Sequence, residues 1–424
     1  MSEHKDPHIV VLGGGFGGLT FCQKFHHPIA QVTLVDRTNH HLFQPLLYQV
    51  ATAGLSAPEI AQPIRSILSD KPNVTVLLDR AIDFDLAGRR VRLEKNWLRY
   101  DYLVLALGGC TSYFGHPEWE EFAPGLKSLE DALRIRHRVL LAFEKAEGET
   151  DRAARDRLMT IVIVGGGPTG VELAGALAEL VRVVLKRDFR HIDPSKARVI
   201  LIEASPLVLS HLPADLAASA TEQLRQLGVQ VRTSTRVKSI GQGRVELENG
   251  EVITAENVIW ASGVAANPLT SRLQVELDRA GRVKVNPDLS LPGHPEVFAI
   301  GDMALVRRAD GQPVPGVSPA AMQMAAHVAR IIGDELAAPA SGPELRPPFR
   351  YWDKGTMATI GRSAAVALTG PFKLTGFIAW AAWLFVHLIF LIGFRNKAAV
   401  LLQWAYSYFS YKRGARIITS LPSR

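Results

Sequence analysis

Apolar and polar positions follow one three-part pattern that occurs twice along this chain. HIVVLGGGFGGLTFCQKF (8–25) and MTIVIVGGGPTGVELAGALAEL (159–180) each open on a β-branched run with no polar alternation, as a strand covered on both faces requires. A glycine cluster then predicts a tight turn, and the spacing of apolar residues beyond it predicts an amphipathic helix. Each pattern is followed by a second apolar run ending in an acid, QVTLVD at Asp36 and RVILIE at Glu203. Strand and helix in alternation predict an α/β fold with parallel sheets. Gly13 and Gly165 stand 152 residues apart, so each unit is expected to anchor its own domain.

Three later runs predict returning strands: YLVLALGG (102–109) closes the first unit, NVIWASG (257–263) closes the second, and VFAIGDMA (297–304) rejoins the first. The first domain is then discontinuous, with the second inserted. The polar, arginine-rich stretch 128–157 predicts a helical connection between them.

The glycines carry the first chemical reading. Gly13, Gly15 and Gly18, and again Gly165, Gly167 and Gly170, satisfy GxGxxG. One glycine allows the turn, one lets the backbone approach a pyrophosphate, and one permits close packing of helix on strand. Free N–H groups at the helix start would meet the phosphates, and Asp36 and Glu203 are placed to accept from ribose hydroxyls. Ala204 and Ser205 follow Glu203 with no adjacent arginine for a 2′-phosphate, which favours NADH over NADPH at the second site. The first site then suits FAD, with Asp302 of the Gly301–Asp302 pair placed for the ribityl chain. Two dinucleotides in one chain imply electron transfer between them.

FIAWAAWLFVHLIFLIGF (377–394) breaks the pattern, with eighteen residues and no formal charge. As a helix it would reach about 27 Å, short of a hydrocarbon core of roughly 30 Å. Charge also opposes a span. Nine Lys/Arg and no acid lie from Lys354 to the C-terminus, whereas residues 1–353 hold 39 basic against 41 acidic side chains. A span from a cytosolic body would place Arg395, Lys397, Lys412, Arg413 and Arg416 outside, the reverse of positive-inside. In the next segment Asn396, Gln403, Ser407 and Ser410 share one helical face and Val400, Leu401, Trp404, Tyr408 and Tyr411 the other. The tail is therefore expected to form two helices lying in one leaflet on an anionic lipid surface. Basicity confined to a tail does not suit nucleic acid.

Cys22 and Cys110 are the only cysteines, which argues against a disulfide scaffold, an iron–sulfur cluster or a cysteine-rich metal site. No CxxxxC pair is present, so the electron acceptor is expected to be external. The opening MSEHKDPHIVVLGGG has neither signal-peptide nor transit-peptide character, and the catalytic body is expected in the cytosol.

With GGGFGG, HHLFQPLLYQVATAGLS (40–56), VGGGPTGVELAGALAEL, WASGV, VFAIGDMA, DKGTMATIGRSAAV (353–366) and HLIFLIGFRNK (387–397), the chain resembles the type II NADH:quinone oxidoreductases. These are single-subunit NADH dehydrogenases that pump no protons. The resemblance implies two Rossmann-like dinucleotide-binding domains with C-terminal amphipathic helices docked on the cytoplasmic face of a bacterial cell membrane, and a ubiquinone or menaquinone acceptor. It divides the chain into an FAD-binding part (1–120), a helical connection (121–158), an NADH-binding domain (159–280), a second FAD part with the quinone pocket (281–372) and an anchor (373–424). A homodimer is a further expectation of the family.

Carried over by position, the resemblance implies FAD contacts at Gly13, Gly14, Gly15, Phe16, Gly17, Gly18, Asp36, Asn39, His40, the Ala81 backbone, Gly109, Asp302, Gln323 and Lys354. It implies NADH contacts at Gly165, Gly167, Gly170, Glu203 and Gly263, and quinone contacts at Pro45, Leu46, Gln323 and His327. Glu172, Gln323 and Lys354 become the catalytic candidates, with Glu172 handling protons; the plainer reading of Glu172 is an acid favoured by the helix dipole. The family commonly carries AQxAxQ at the quinone pocket, where this chain has Met322, Gln323 and His327 at the matching positions. Two rivals share some of these features. A sulfide:quinone oxidoreductase needs redox cysteines, and a membrane-bound nucleotide sensor would not turn over.

Overall fold

Glycine turns, with a backbone carbonyl packed where any other side chain would start, set the architecture of this chain. The computed structural model describes residues 6–308, 310–338, 342–392, 394–410 and 415–418. Tyr411, Lys412, Arg413 and Arg424 of the expected basic tail lie outside the described residues, as do the side chains of Arg395, Ser407, Tyr408 and Ser410.

The chain passes through two compact units in turn. Unit 1 comprises Met1–Leu42, Ala61–Cys110 and Val264–Asp353; unit 2 comprises Phe43–Ile60, Thr111–Gly263 and Lys354–Arg424. In chain order, β1 (His8–Leu12), α1 (Phe16–Lys24), β2 (Gln31–Asp36), β3 (Val74–Leu78) and β4 (Tyr102–Leu105) belong to unit 1. Unit 2 follows with α2 (Leu129–Gly148), β5 (Thr160–Val164), α3 (Pro168–Glu179), β6 (Arg198–Ile202), β7 (Gln230–Arg232) and β8 (Asn257–Trp260). Unit 1 resumes with β9 (Val283–Lys284), β10 (Ser290–Leu291), β11 (His294–Ala299), β12 (Ala304–Leu305) and α4 (Ser318–Ala337). Unit 2 closes the chain with β13 (Thr356–Gly361), β14 (Ala364–Thr369), β15 (Phe372–Thr375), α5 (Gly376–Phe390) and α6 (Phe394–Ser410). Unit 1 is built from three separate stretches of chain. Residues 43–60 and the segment from 354 onward cluster with the second glycine turn.

The sheet of unit 1 runs β10-β11-β4-β1-β2-β3, parallel except for β10, and that of unit 2 runs β7-β6-β5-β8, parallel throughout. In both, strand order reverses beside the strand that carries the glycine turn, the place where open α/β sheets leave a crevice for a ligand. Burial is unbroken along the two central strands: Ile9 to Leu12 and Ile161 to Ile163 expose nothing. α1 packs on α4, and α3 packs on β13. The predicted connection is α2, whose start is a capping box: Ser128 Oγ accepts from Asp131 N, and Asp131 Oδ2 accepts from Ser128 N.

The expected pair of C-terminal helices forms as α5 and α6, and no helix among the described residues is long and apolar enough to cross a membrane. Their facing differs from expectation. Val400 has no exposed surface, and the Trp404 indole donates to Gln49 Oε1 at 2.8 Å, so both face protein. Leu401, Leu402 and Tyr406 are exposed instead, continued on α5 by Phe377, Ile378, Phe385 and Ile389. Amphipathic spacing finds an apolar stripe, yet only packing tells which edge of a wide stripe meets the body. Part of the tail's positive charge is likewise taken up inside unit 2: Lys373 pairs with Asp215 at 2.8 Å, and Arg416 pairs with Asp188.

α3 approaches β13 so closely that a Cβ on Gly175 would stand 1.5 Å from the Ile360 carbonyl oxygen. Replacing a mid-helix glycine by alanine gains up to about 1 kcal/mol of helix propensity, but overpacking against backbone costs about 1–3 kcal/mol or more. Gly175→Ala is therefore expected to lower the melting temperature; an unchanged or higher value by thermal denaturation would contradict this packing.

Candidate functional site

In unit 1, Gly13 takes φ +101° and donates from its N–H to Val35 O at 2.8 Å, closing the turn against β2. A Cβ on Gly18 would lie 1.9 Å from Gly13 O, so only glycine allows α1 to start this close to β1. A Cβ on Gly15 would meet nothing within 4 Å, and α1 begins there without a side-chain cap. Open space in front of uncapped first-turn N–H groups fits a dinucleotide pyrophosphate. Asp36 serves this turn: Oδ2 accepts from Gly14 N at 2.5 Å, while Oδ1 accepts from Thr38 N and Oγ1 at 2.6 and 2.8 Å.

His41, adjacent to the expected His40, is the buried histidine of this cradle. Its Nδ1 lies 3.0 Å from Gly14 O, its Nε2 has no partner, and the Phe16 ring meets it edge-on at 5.0 Å. Burial pushes its pKa down, so the ring is neutral near pH 7. Its neighbours Asn39 and His40 are more exposed and bond to each other at 3.2 Å.

Further along unit 1, Gly301 (φ +73°) and Asp302 border a cavity of about 340 Å³ together with Val264, Arg282, Gly316 and the first turns of α4. Gly109 packs beside it, where a Cβ would come 2.8 Å from Ala265 O and 3.3 Å from Asp302 Cβ. A polar side chain, a helix start without a side-chain cap and a partly open cavity fit the ribityl end of a flavin. Ala81 opens a separate strand of unit 1, paired with Leu93.

Unit 2 repeats the first cradle. Gly165 (φ +115°) donates to Ile202 O at 2.8 Å, a Cβ on Gly170 would lie 1.8 Å from Gly165 O, and Gly167 faces open space at the uncapped start of α3. Glu203 Oε2 accepts from Gly166 N and Oε1 from Ser205 N, each at 2.6 Å. Gly263 (φ +77°) follows β8, its α-carbon lying against the Phe114 ring. In this structure both strand-end acids thus brace their glycine turns, with the second glycine's N–H as the shared partner.

Glu172 on α3 lies where unit 2 gathers its aromatic residues. Trp383 of α5 is 1% exposed, stacks on His387 with ring centroids 4.0 Å apart, and meets Trp404 at 5.8 Å and Tyr48 at 6.4 Å. His387 Nδ1 donates to Trp383 O at 2.8 Å, and burial pushes its pKa down to about 4, so it is uncharged at neutral pH. The Glu172 side chain keeps some exposed surface, but its carboxyl is desolvated and its pKa is pushed up to about 8. The Thr359 backbone N–H and the Trp383 indole favour the carboxylate less strongly than burial opposes it. The indole N–H acts at close range without forming a hydrogen bond of normal geometry.

Residues 7–325 match the model of the pyridine nucleotide-disulphide oxidoreductase family. The chain is 46% identical to the type II NADH:quinone oxidoreductase Ndh of Mycobacterium tuberculosis, over 99% of its own length and 93% of the relative's. The chain belongs to the type II NADH:quinone oxidoreductases. NdhA of the same organism is 42% identical over 97% of this chain and 89% of that one. NDH2 from Plasmodium falciparum, solved in complex with NADH, shares the fold with a TM-score of 0.89 at 20% identity, covering 98% of this chain and 100% of that one.

Several residues that the family pattern assigns to ligands are engaged with protein in this oxidoreductase. Gln323 clamps the Trp352 backbone, Nε2 donating to its O at 3.0 Å and Oε1 accepting from its N at 2.9 Å. His327 Nε2 lies 3.1 Å from Pro347 O, with Phe349 edge-on at 5.6 Å; burial and the Arg330 charge lower its pKa. Leu46 has no exposed surface, while Pro45 beside it is partly exposed. Lys354 is exposed, its Nζ 5.7 Å from the centre of the Phe390 ring. Cys22 is buried in α1 with its pKa pushed up to about 12, which disarms it as the nucleophile of a sulfide-oxidising relative.

His41, Trp383 and Gln49 were missed. Trp383 and His387 stand four residues apart, the spacing of neighbours on one helical face, which was the available signal. His41 and Gln49 carried none, since burial decides their role.

Folding keeps a proton on Glu172 that the unfolded chain releases above about pH 4.5. This carboxyl therefore weakens the fold progressively as pH rises from 4.5 toward 8. Relative to wild type, Glu172→Gln should gain melting temperature between about pH 5 and pH 8; a difference that stays constant across that range would contradict the raised pKa.

Proposed function

We propose that this chain is a respiratory NADH:quinone oxidoreductase that binds FAD in unit 1 and NADH in unit 2 and reduces a membrane quinone without pumping protons. The observation that carries this reading is the doubled cradle, in which each glycine turn is gripped by a carboxylate from the neighbouring strand end. FAD, when bound, supplies the two-electron relay from NADH to quinone.

The protein's part is orientation, exclusion of water and proton handling. Gly13 to Gly18, Asp36, Gly109 and Asp302 are the residues that would hold FAD, while Gly165 to Gly170, Glu203 and Gly263 would hold NADH. In each cradle the acid positions the loop first, and its remaining lone pairs are available to ribose hydroxyls. Quinone reduction consumes two protons. Glu172, with a pKa near 8, holds a proton at neutral pH that it can release and recover, which suits a general acid better than an ordinary carboxylate would. Trp383, His387 and Tyr48 give it an apolar aromatic surround suited to a flat quinone ring. Gln323 and His327 act by holding residues 347–352 in place, and Lys354 supplies positive charge at the end of that segment.

Association with the cytoplasmic face of the cell membrane is supported by the outward row Phe377, Ile378, Phe385, Ile389, Leu401 and Leu402, an apolar face of the kind that settles at a lipid boundary. Lys397, beside this row, favours anionic lipid.

Anaerobic NADH should bleach the yellow flavin spectrum of the purified protein, and an added quinone should restore it. Bleaching that no quinone reverses would remove the second half of the reaction. Glu172→Gln should still bleach with NADH but turn over quinone about tenfold or more slowly; full turnover would take Glu172 out of the mechanism. Leu401→Asp with Leu402→Asp should leave folding and flavin reduction intact while moving the protein from the membrane pellet to the supernatant, and retention in the pellet would contradict the assigned face.

A further inference from the structure

Unit 1 carries a second concentration of positive charge that the reaction does not use. β9 and β12 pair in parallel, Val283 opposite Ala304 and Lys284 opposite Leu305. Alternation turns Val283, Ala304 and Val306 into the core, all buried, and turns Arg282, Lys284, Leu305 and Arg307 to the other face. Two bridges, Leu277 with Val283 and Arg307 with Pro313, fold the flanking chain back on each side. Between them lies a cleft of about 410 Å³, with an apolar floor of Leu277, Leu305 and Pro313. Its rim holds four cations, Arg279, Arg282, Lys284 and Arg307, against one acid, Asp278.

Neutralisation within the protein is incomplete. Arg282 pairs with Asp278 at 2.7 Å, and Lys284 pairs with Glu276. Arg307 donates only to a carbonyl, Gly311 O at 2.8 Å, and Arg279 makes no hydrogen bond or ion pair among the described residues. Arg279 and Arg307, unlike the paired Arg282 and Lys284, therefore leave positive charge on the cleft that no acid among the described residues pairs. An anion in the cleft would balance that charge, since guanidinium groups grip phosphate oxygens in pairs. The volume falls in the range of small-molecule sites, and an apolar floor beneath a cationic rim suits a ligand with a phosphate at one end and a flat or aliphatic body at the other.

We propose that this cleft binds a phosphate ester, its phosphate held by Arg279 and Arg307 and its organic part resting on Leu277, Leu305 and Pro313. The site is separate from both glycine cradles and is not required for NADH oxidation. Arg282 also borders the cavity beside Asp302, so it is left unchanged in the test.

Titration calorimetry of the FAD-loaded enzyme with inorganic pyrophosphate tests the proposal, with saturating NAD⁺ present to fill the second cradle. Wild type should bind, and Arg279→Glu with Arg307→Glu should weaken binding about tenfold or more, with melting temperature and NADH-driven bleaching unchanged. If that double variant melts early, Arg279→Gln with Arg307→Gln should show the same loss in a smaller degree. Flotation with phosphatidylglycerol vesicles separates the two sources of phosphate. Equal flotation of wild type and variant, alongside lost pyrophosphate binding, assigns the site to a soluble ester; flotation that falls in the variant assigns it to a lipid headgroup. No pyrophosphate binding by wild type with flotation unchanged, or equal binding by wild type and both variants, overturns the proposal.

Discussion

Everything this protein does depends on a contact that only glycine permits: a helix that begins with its backbone against the carbonyl of the strand just left. At Gly18 and Gly170 an added Cβ would fall within 2 Å of Gly13 O and Gly165 O. That approach brings a helix start without a side-chain cap up to open space at Gly15 and Gly167. A carboxylate from the next strand then takes the N–H of the second glycine, so the loop is stiff before any ligand arrives. Preorganisation of this kind lowers the ordering cost of binding a flexible dinucleotide. The same solution appears in both units, each with an apolar strand before the turn and a strand-end acid after it, because the geometry of the turn admits few others.

Around the second cradle, unit 2 packs part of its own C-terminal helices into its body. α5 packs Ala379, with Trp380 beside it, against alanines of β14 and buries Trp383, and α6 adds Val400 and Trp404. The apolar residues of the tail therefore divide in two, an inner row packed around Glu172 and an outer row left exposed. Desolvation by that wall raises the Glu172 pKa and depresses that of His387, so one group gains a proton near neutrality while the other loses its charge. Opposite shifts follow from a single cause because burial disfavours whichever form carries the charge.

Much of this was legible in advance, and for identifiable reasons. β-branched runs, GxGxxG spacing and strand-end acids are local, so Gly13 to Gly18, Asp36, Gly165 to Gly170 and Glu203 could be placed without knowing what lay opposite them. Gln323 and His327 illustrate the converse: family position marked them, but their partners are backbone atoms of Trp352 and Pro347, some twenty to thirty residues away and invisible to any local pattern.

The amino-acid order alone determined the α/β class, the two strand–glycine-turn–helix units and an uncharged apolar stretch at 377–394, because each follows from periodicity, glycine stereochemistry or charge count within a short window. Tertiary structure decided which histidine of the pair at 40 and 41 is buried, which edge of the α6 stripe faces inward, that Trp383 covers Glu172, and that four cations share one cleft. Burial and desolvation arise from residues distant in the chain, and pKa values, side-chain partners and exposed faces are set by them.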